Sequence, residues 1–379
     1  MNLDKSTNSS TCPSIHTAST SRPSSSSSAP PTSPLDSSIP PGAPLSPLFH
    51  IRQTPTAGRA VFATRNLPED TLIWRSTDLT LEVLLREYRR EVCGQCFGYE
   101  YGRDLHMQDR TVGFAFCSAA CQDQWRREQG EVGVAAWTAV EALVKGRSKE
   151  DSDMVDSHLP RPNAKAIQAA WAAADVQAAL IRTARGGDGA TKKHRKALSR
   201  ALLAPINPDI LSFCLSGLLW HHRSPSQWPA LVALADNQTP YHSDDDLAAF
   251  TRAYLHLLAV VPCDLLPVTT ADKLFMLSSR DSFNSFGIRS LEDDGSEFFG
   301  YGCWPAASYF NHSCAPNVEK KRQGRVWEFR LGREVTKGEE LCITYLSGEE
   351  RKLSRGKRMM TLKRNWGFEC GCERCEAVL

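Results

Sequence analysis

Thirteen cysteines in a chain of 379 residues carry its most legible chemistry, because most of them fall in tight clusters. Cys370, Cys372 and Cys375 put three thiols within six residues, a spacing that lets one turn of backbone aim all three at one ion. Zinc takes four ligands in a tetrahedron, and thiolates are among its usual donors. The fourth is expected from Cys314, which stands in the loop-like run Asn311-His312-Ser313-Cys314-Ala315-Pro316-Asn317 rather than in an apolar stretch. The alternative is that Cys314 is a buried free thiol and the tail merely flexible. A second cluster pairs Cys93-x2-Cys96 with Cys117-x3-Cys121, which is enough for one closed structural site. His106 lies between these pairs and reads as an exposed loop histidine, since four thiolates already complete the tetrahedron. Two zinc ions are therefore expected, one per cluster.

Two further runs set polar side chains at motif-like spacing. The Asn311 to Asn317 run is followed by Gly338-Glu339-Glu340-Leu341-Cys342-Ile343-Thr344-Tyr345, and then by the Cys-x-Cys-x2-Cys tail. In that order, with Gly58-Arg59-Ala60-Val61-Phe62-Ala63 as an opening strand and turn, they resemble the SET-domain protein methyltransferases. The cysteine insert between the first strands and a helical block further resembles the subgroup whose SET domain is split by a MYND zinc module. The resemblance covers residues 48–379. A full MYND module binds two zincs through interleaved ligands, whereas this insert supplies only the outer set, Cys93, Cys96, Cys117 and Cys121. No cysteine falls between Phe97 and Phe116, and no His-x3-Cys follows Cys121. The C-terminal helical-repeat domain of many split-SET enzymes is not expected after the tail cysteines.

The resemblance implies methyl transfer from S-adenosylmethionine to the amine of a protein lysine. Lysine has an ordinary pKa of about 10.4, so the amine must first lose its proton, and an apolar channel beside a positive sulfonium disfavours the ammonium. The rest is alignment of amine, methyl and sulfur. On the resemblance, Tyr345 is the catalytic tyrosine and orients the amine. Asn311 is implied to bind the cofactor through its amide and His312 through its backbone. Gly58, Arg59 and Ala60 are implied to form the turn against which the cofactor packs, and Phe368 to lie on its adenine side. Asn284, Phe286 and Trp366 are implied to line the lysine channel, Trp366 standing where many relatives have tyrosine. Read on residue type alone, Tyr345 could equally be a core tyrosine, residues 284–288 a plain strand and turn, and Trp366 with Phe368 a hydrophobic plug. The rival function is a catalytically silent SET/MYND-like zinc protein that binds a protein partner.

The elements that must hold these residues are expected to form an α+β protein. Its core would be a SET-type β fold of pseudoknot form, carrying a MYND-like zinc insert, a helical insertion and a zinc-binding post-SET tail. Residues 1–47 are mostly Ser, Thr and Pro and are expected to be disordered. Residues 48–92 would be the first part of the SET domain, opening with a hairpin and ending in a charged helix around Glu82 to Arg90. Residues 93–125 form the zinc insert and 126–280 the helical insertion. Helical spacing is clear at Ala169 to Ile181, Ile210 to Trp220 and Leu247 to Val260, with an exposed loop at Arg185 to Lys196. Residues 281–350 return to β texture from Phe283, with strands at Val326 to Leu331 and Glu340 to Tyr345, and 351–379 are the tail.

Composition adds exclusions. Lys and Arg number 45 against 43 Asp and Glu, a net charge of +2, which offers no bulk electrostatic argument for nucleic acid. The basic stretches Lys192 to Lys196 and Arg351 to Arg364 read as solvated faces. No apolar run reaches the roughly 18 residues of a membrane span, and the polar N-terminus is unlike a signal peptide. A monomer is expected, inside the cell in the nucleus, the cytoplasm or both, acting on a protein substrate.

Overall fold

The computed structural model describes residues 39–55, 57–145, 147, 160–291 and 297–377. The segment expected to be disordered lies outside them up to residue 38. Among residues 39–47, Pro44 is buried and Ala43 is set against the core, while Ile39 and Leu45 are exposed.

Strands β1 (Phe49–Thr54) and β2 (Gly58–Ala63) make the expected antiparallel hairpin. Next come β3 (Leu72–Ser76), β4 (Leu81–Leu84), and the short hairpin of β5 (Met107–Asp109) and β6 (Phe114–Phe116). The helical block holds α1 (Ala119–Val144), α2 (Ala164–Gly186), α3 (Lys192–Leu203), α4 (Pro208–Arg223), α5 (Trp228–Val232), α6 (Asp244–Val260) and α7 (Ala271–Asn284). After it follow β7 (Ser285–Arg289), β8 (Phe298–Cys303), β9 (Val318–Gln323), β10 (Val326–Leu331), α8 (Gly348–Lys352), α9 (Arg355–Trp366) and α10 (Glu373–Glu376).

Pairing shows that the β domain is one unit interrupted by insertions. β3 pairs antiparallel with β10, and β4 with β8, so strands on either side of the helical block share sheets. The sheet orders are β3-β10-β9 and β4-β8-β7. Helix α4 carries the run from Leu211 to Trp220, buried along its whole length. It packs against β4, and this contact ties the helical block to the β domain.

Local patterning misleads in four places. The charged helix expected over Glu82 to Arg90 is β4 followed by a single 3-10 turn, Arg86–Tyr88. Its charges have distant partners instead of helical neighbours: Glu82 takes a two-pronged contact from Arg325, at 3.0 Å for each oxygen, and Arg86 gives one to Glu141, at 2.8 Å each. The loop expected from Arg185 to Lys196 shrinks to residues 187–191, because α2 runs on through Gly186 and Thr191 opens α3 with a capping box to His194. Phe283 still belongs to α7. Finally, Glu340 to Tyr345 is no regular strand and makes only isolated bridges, Phe62 to Glu340 and His312 to Ile343.

Those bridges belong to a threaded crossing. Residues 338–343 run between β2 on one side and the 311–318 segment on the other. Toward β2, Gly338 N–H donates to the Ala63 carbonyl (2.8 Å), Ala63 N–H to Glu339 (2.9 Å) and Leu341 N–H to Val61 (2.8 Å). On the far side, Ile343 N–H donates to Asn311 (2.9 Å), Ser313 N–H to Ile343 (2.8 Å) and Val318 N–H to Cys342 (3.0 Å). This crossing brings residues 311–318 beside 338–345.

Candidate active site and metal centres

Cys314, Cys370, Cys372 and Cys375 converge, with all four sulfur atoms within 4.8 Å of one another. Cys314 Sγ lies 4.0 Å from Cys370 Sγ and 3.6 Å from Cys375 Sγ. Zinc–sulfur bonds of about 2.3 Å imply sulfur separations of roughly 3.8 Å around a tetrahedron, so this donor set fits zinc. Three of the four cysteines are buried. The tail reaches this position because α9 ends at Gly367, whose φ of 76° is left-handed and turns the chain back toward Cys370. The surroundings are cationic: Arg358 Nη2 approaches Cys375 Sγ at 3.8 Å, and Arg374 Nη1 donates to the Cys314 carbonyl at 3.1 Å. Arg358 belongs to a basic run expected to be solvated, yet it is only 4% exposed. Helical spacing turns it inward while Lys357, Lys363 and Arg364 face solvent.

Cys93, Cys96, Cys117 and Cys121 form the second four-thiol group, also within 4.8 Å. Cys96 and Cys117 are 3.6 Å apart at sulfur, and Cys117 and Cys121 are 3.4 Å apart. Its geometry is local. Cys93 and Cys96 sit on a tight turn in which Phe97 N–H donates to the Cys93 carbonyl and Cys93 N–H to Gly98. Cys117 directly follows β6. Cys121 lies in the first turn of α1, where Ser118 caps the helix by accepting from the Cys121 N–H. His106 is exposed and lies outside the group. The two groups fit a MYND-like insert and a post-SET site, and could hold two zinc ions.

Beside the tail group, four rings meet. Tyr345 lies 5.3 Å from His312, 5.4 Å from Trp366 and 6.2 Å from Phe368, and His312 lies 6.0 Å from Phe368. The Tyr345 hydroxyl donates to the Phe310 carbonyl at 3.1 Å, and its backbone N–H donates to His312 Nδ1 at 3.0 Å. Burial raises the phenol above its ordinary pKa of 10.0, so it stays protonated at neutral pH. Burial, then the charges of Lys320 and Arg358, hold His312 down at about 4, so its imidazole is neutral. Asn311 Nδ2 donates to the Arg59 carbonyl and to Glu340 Oε1, both at 3.1 Å, which brings the Gly58 to Ala60 turn to this site. Gly58 has a φ of 68° and open space around the place of a Cβ, so the turn needs glycine for its conformation rather than for close packing.

Asn284 and Phe286 have partners of their own in the fold. Asn284 is buried, and its amide donates to the carbonyls of Ala235 (2.8 Å) and Arg280 (2.7 Å), pinning the end of α7. Phe286 is buried against Trp304 and Trp327. Lys320, which no sequence motif singles out, lays its ammonium 5.2 Å from the Phe286 centroid and 5.7 Å from that of Trp327. The rings enclose most of this side chain while part of it still meets solvent, and no carboxylate pairs with it among the described residues. Burial, then the charge of Arg289, pulls it down to about 8. Tyr309 is a second residue that the motifs do not mark: its hydroxyl accepts from Arg59 Nη1 at 3.2 Å. The Ala-Ser-Tyr-Phe lead-in to Asn311 is the available signal, and it reads only as apolar.

The SET domain profile matches residues 58–346. The chain is 27% identical to a yeast (Saccharomyces cerevisiae) protein named potential protein lysine methyltransferase SET6, covering 88% of this chain and 96% of that one. It is 32% identical to histone-lysine N-methyltransferase ASHR2 of Arabidopsis thaliana over 43% of this chain and 44% of the relative. With protein-lysine N-trimethyltransferase SMYD5 of Mus musculus it shares 32% identity over 30% of this chain and 28% of the relative. No helix among the described residues is long and apolar enough to cross a membrane.

Proposed function

Because the chain belongs to the SET-domain family and is a protein-lysine N-methyltransferase, we propose that it takes its methyl group from S-adenosylmethionine and delivers it to the side-chain amine of a lysine in a protein substrate, histone or non-histone. When bound, the cofactor supplies an electrophilic methyl carbon on a sulfonium. Everything else falls to this chain's residues. In this reading residues 48–92 and 281–350 are the two parts of the catalytic domain, 93–125 the zinc insert, 126–280 the helical insertion and 351–379 the closing tail.

The observation that carries the reading is the enclosure of Tyr345. Its neutral hydroxyl, bonded to the Phe310 carbonyl, sits among His312, Trp366 and Phe368, where a lysine amine could be oriented in surroundings that disfavour its charged form. Asn311 and the 58–60 turn form the cofactor side, with the amide oxygen of Asn311 left to accept from a ligand while its NH2 holds Arg59 and Glu340. Trp366 bounds the lysine channel and Phe368 lies on the adenine side of the cofactor, and the four-cysteine group fixes the tail that carries them. Titration calorimetry with S-adenosylmethionine, followed by methyl transfer to a lysine peptide array read by mass spectrometry, tests the proposal. Tyr345→Phe should bind the cofactor within a few-fold of wild type and turn over about 10²-fold more slowly, as expected when the amine loses its alignment. A fully active Tyr345→Phe enzyme would make Tyr345 a core residue.

A further inference from the structure

His312 stands between the tail cysteines and Tyr345, and its two ring nitrogens face opposite ways. The Tyr345 backbone N–H reaches Nδ1 at 3.0 Å. A backbone N–H can only donate, so Nδ1 accepts and carries no hydrogen, and the ring proton is on Nε2. Nε2 lies 3.4 Å from Cys314 Sγ, within range for an N–H to sulfur bond. The ring thus accepts from the tyrosine and donates to a member of the metal-binding group.

Tyr345 has reason to depend on this contact. The backbone bridge to residues 311–313 ends at Ile343, and Tyr345 lies beyond it with no ladder partner of its own. The imidazole replaces the missing carbonyl acceptor. The phenol end is held by the Phe310 carbonyl at 3.1 Å, so both ends of Tyr345 are tied to one short loop, residues 310–314, whose last member is a metal ligand.

We propose that His312 is a positioning residue that transmits the state of the tail cysteine group to Tyr345: Nε2–H holds the Cys314 sulfur, and Nδ1 thereby fixes the Tyr345 backbone. Filling the tail site then sharpens the geometry at Tyr345 and does not merely fold the tail. The role of Tyr345 in turnover rests on the proposed methyl transfer, whereas the two-sided contact of His312 does not.

Two substitutions separate the two contacts in the full-length, zinc-loaded protein. His312→Asn places an amide oxygen where Nδ1 was and keeps an acceptor for Tyr345, but no longer reaches Cys314. His312→Gln extends its amide nitrogen toward the Nε2 position and keeps the donor to sulfur, but leaves the Tyr345 N–H without an acceptor. Chelator competition should show zinc held about 10–100-fold more weakly at the tail site in His312→Asn, with the insert site unchanged, as is usual when a ligand's hydrogen-bond partner is lost. His312→Gln should keep zinc near wild-type affinity. Hydrogen exchange of the Tyr345 amide should be accelerated by zinc removal in wild type, be fast with or without zinc in His312→Gln, and no longer respond to filling of the tail site in His312→Asn. Equal losses of zinc affinity and amide protection in both variants would make His312 a packing residue only, and no loss in either would remove the coupling. If wild type transferred no methyl group at all, the functional reading would fail, while zinc affinity and amide exchange would still decide the coupling.

Discussion

The two four-cysteine groups have the same donors and opposite construction. The insert group draws its ligands from residues 93–121, and Cys117 is exposed. Its ligands sit on a tight turn, beside a two-strand hairpin and in one helix cap, and the β domain braces that turn through Arg325, which donates to the Gln95 carbonyl at 3.3 Å and with Arg322 lies over Phe97. The tail group joins residues 370–375 to Cys314, more than fifty positions earlier, and three of its four cysteines are buried. Around it stand His312, Arg358 and Arg374, and through His312 it touches Tyr345. The same donor set can therefore serve either as a staple between neighbours in sequence or, on the function proposed above, as the wall of a reaction site. Which one it serves depends on how far along the chain the ligands come from and what their second contacts are.

The largest test of this contrast is removal of one thiolate from each group. Cys372→Ser should release the tail, abolish cofactor binding and bring methyl transfer to background, because folding of residues 366–375 is tied to metal. Cys96→Ser should lower solubility and loosen the insert while leaving cofactor affinity within a few-fold. Elemental analysis should return two zinc ions for wild type and one for each variant. Equal loss of cofactor binding in both would erase the distinction between the two groups.

Buried cations repeat the contrast. On the insert side, Arg89 stacks on Phe114 and Trp137, donates to the Leu84 carbonyl (3.0 Å) and the Ser212 hydroxyl (2.6 Å), and remains charged although burial lowers it to about 10. Near His312, Lys320 has two rings and, among the described residues, no acid. Arg89→Met should thus cost about 3 kcal/mol or more through two charge-assisted hydrogen bonds and stranded acceptors. Lys320→Met should instead stabilise at pH 7 by about 1–3 kcal/mol, less whatever the rings return. The folded value of about 8 lies below the ordinary lysine value of 10.5, so between them the unfolded chain binds more protons and wild-type stability rises with pH. The advantage of Lys320→Met in denaturant melts should be full below pH 8 and fade by pH 10.5. An advantage independent of pH would assign it to packing.

A smaller effect is expected at Asn311, which belongs to the threaded segment rather than to either metal group. Asn311→Ala should weaken S-adenosylmethionine binding by about 1–3 kcal/mol by calorimetry, the usual consequence of a lost buried hydrogen bond, with zinc content unchanged. Unaltered cofactor affinity would mean that its amide only ties Arg59 to Glu340.

Legibility from sequence tracks the range of the interactions. Both cysteine groups can be read because thiol spacing is specific to metal, and Cys314 because a loop cysteine stands out from apolar runs. Helices α2, α4 and α6 are plain in their periodicity. Glu82 and Arg86 mislead because charges four apart imitate a helix, whereas their partners lie 243 and 55 positions away. Asn284 is a plain amide in the sequence, and the bonds of its NH2 to the carbonyls of Ala235 and Arg280 come only with the fold. The inward turn of Arg358 and the ringed ammonium of Lys320 likewise depend on elements brought together late in the chain.

The finest test concerns Trp366, where the tail and the site share a residue. Its ring lies 5.4 Å from Tyr345 at 45°, half-buried, in the apolar cluster that also contains Leu346, Leu362 and the tail cysteines. If the indole walls the lysine channel, it leaves less room around the amine than a tyrosine would, and each added methyl group needs some of that room. Monomethyl-lysine should then be the main product. Trp366→Phe should shift products toward dimethyl-lysine without changing cofactor affinity, since Asn311 and His312 are untouched. Phe368 gives the control: it lies 6.0 Å from His312 and faces the Tyr345 ring edge-on, so Phe368→Leu should weaken cofactor binding before it alters the product ratio. An unchanged ratio in Trp366→Phe together with a lowered melting temperature would assign the indole to the packing of the tail, and the channel wall to other residues. That outcome would move the boundary between the metal-built tail and the reaction site to Phe368.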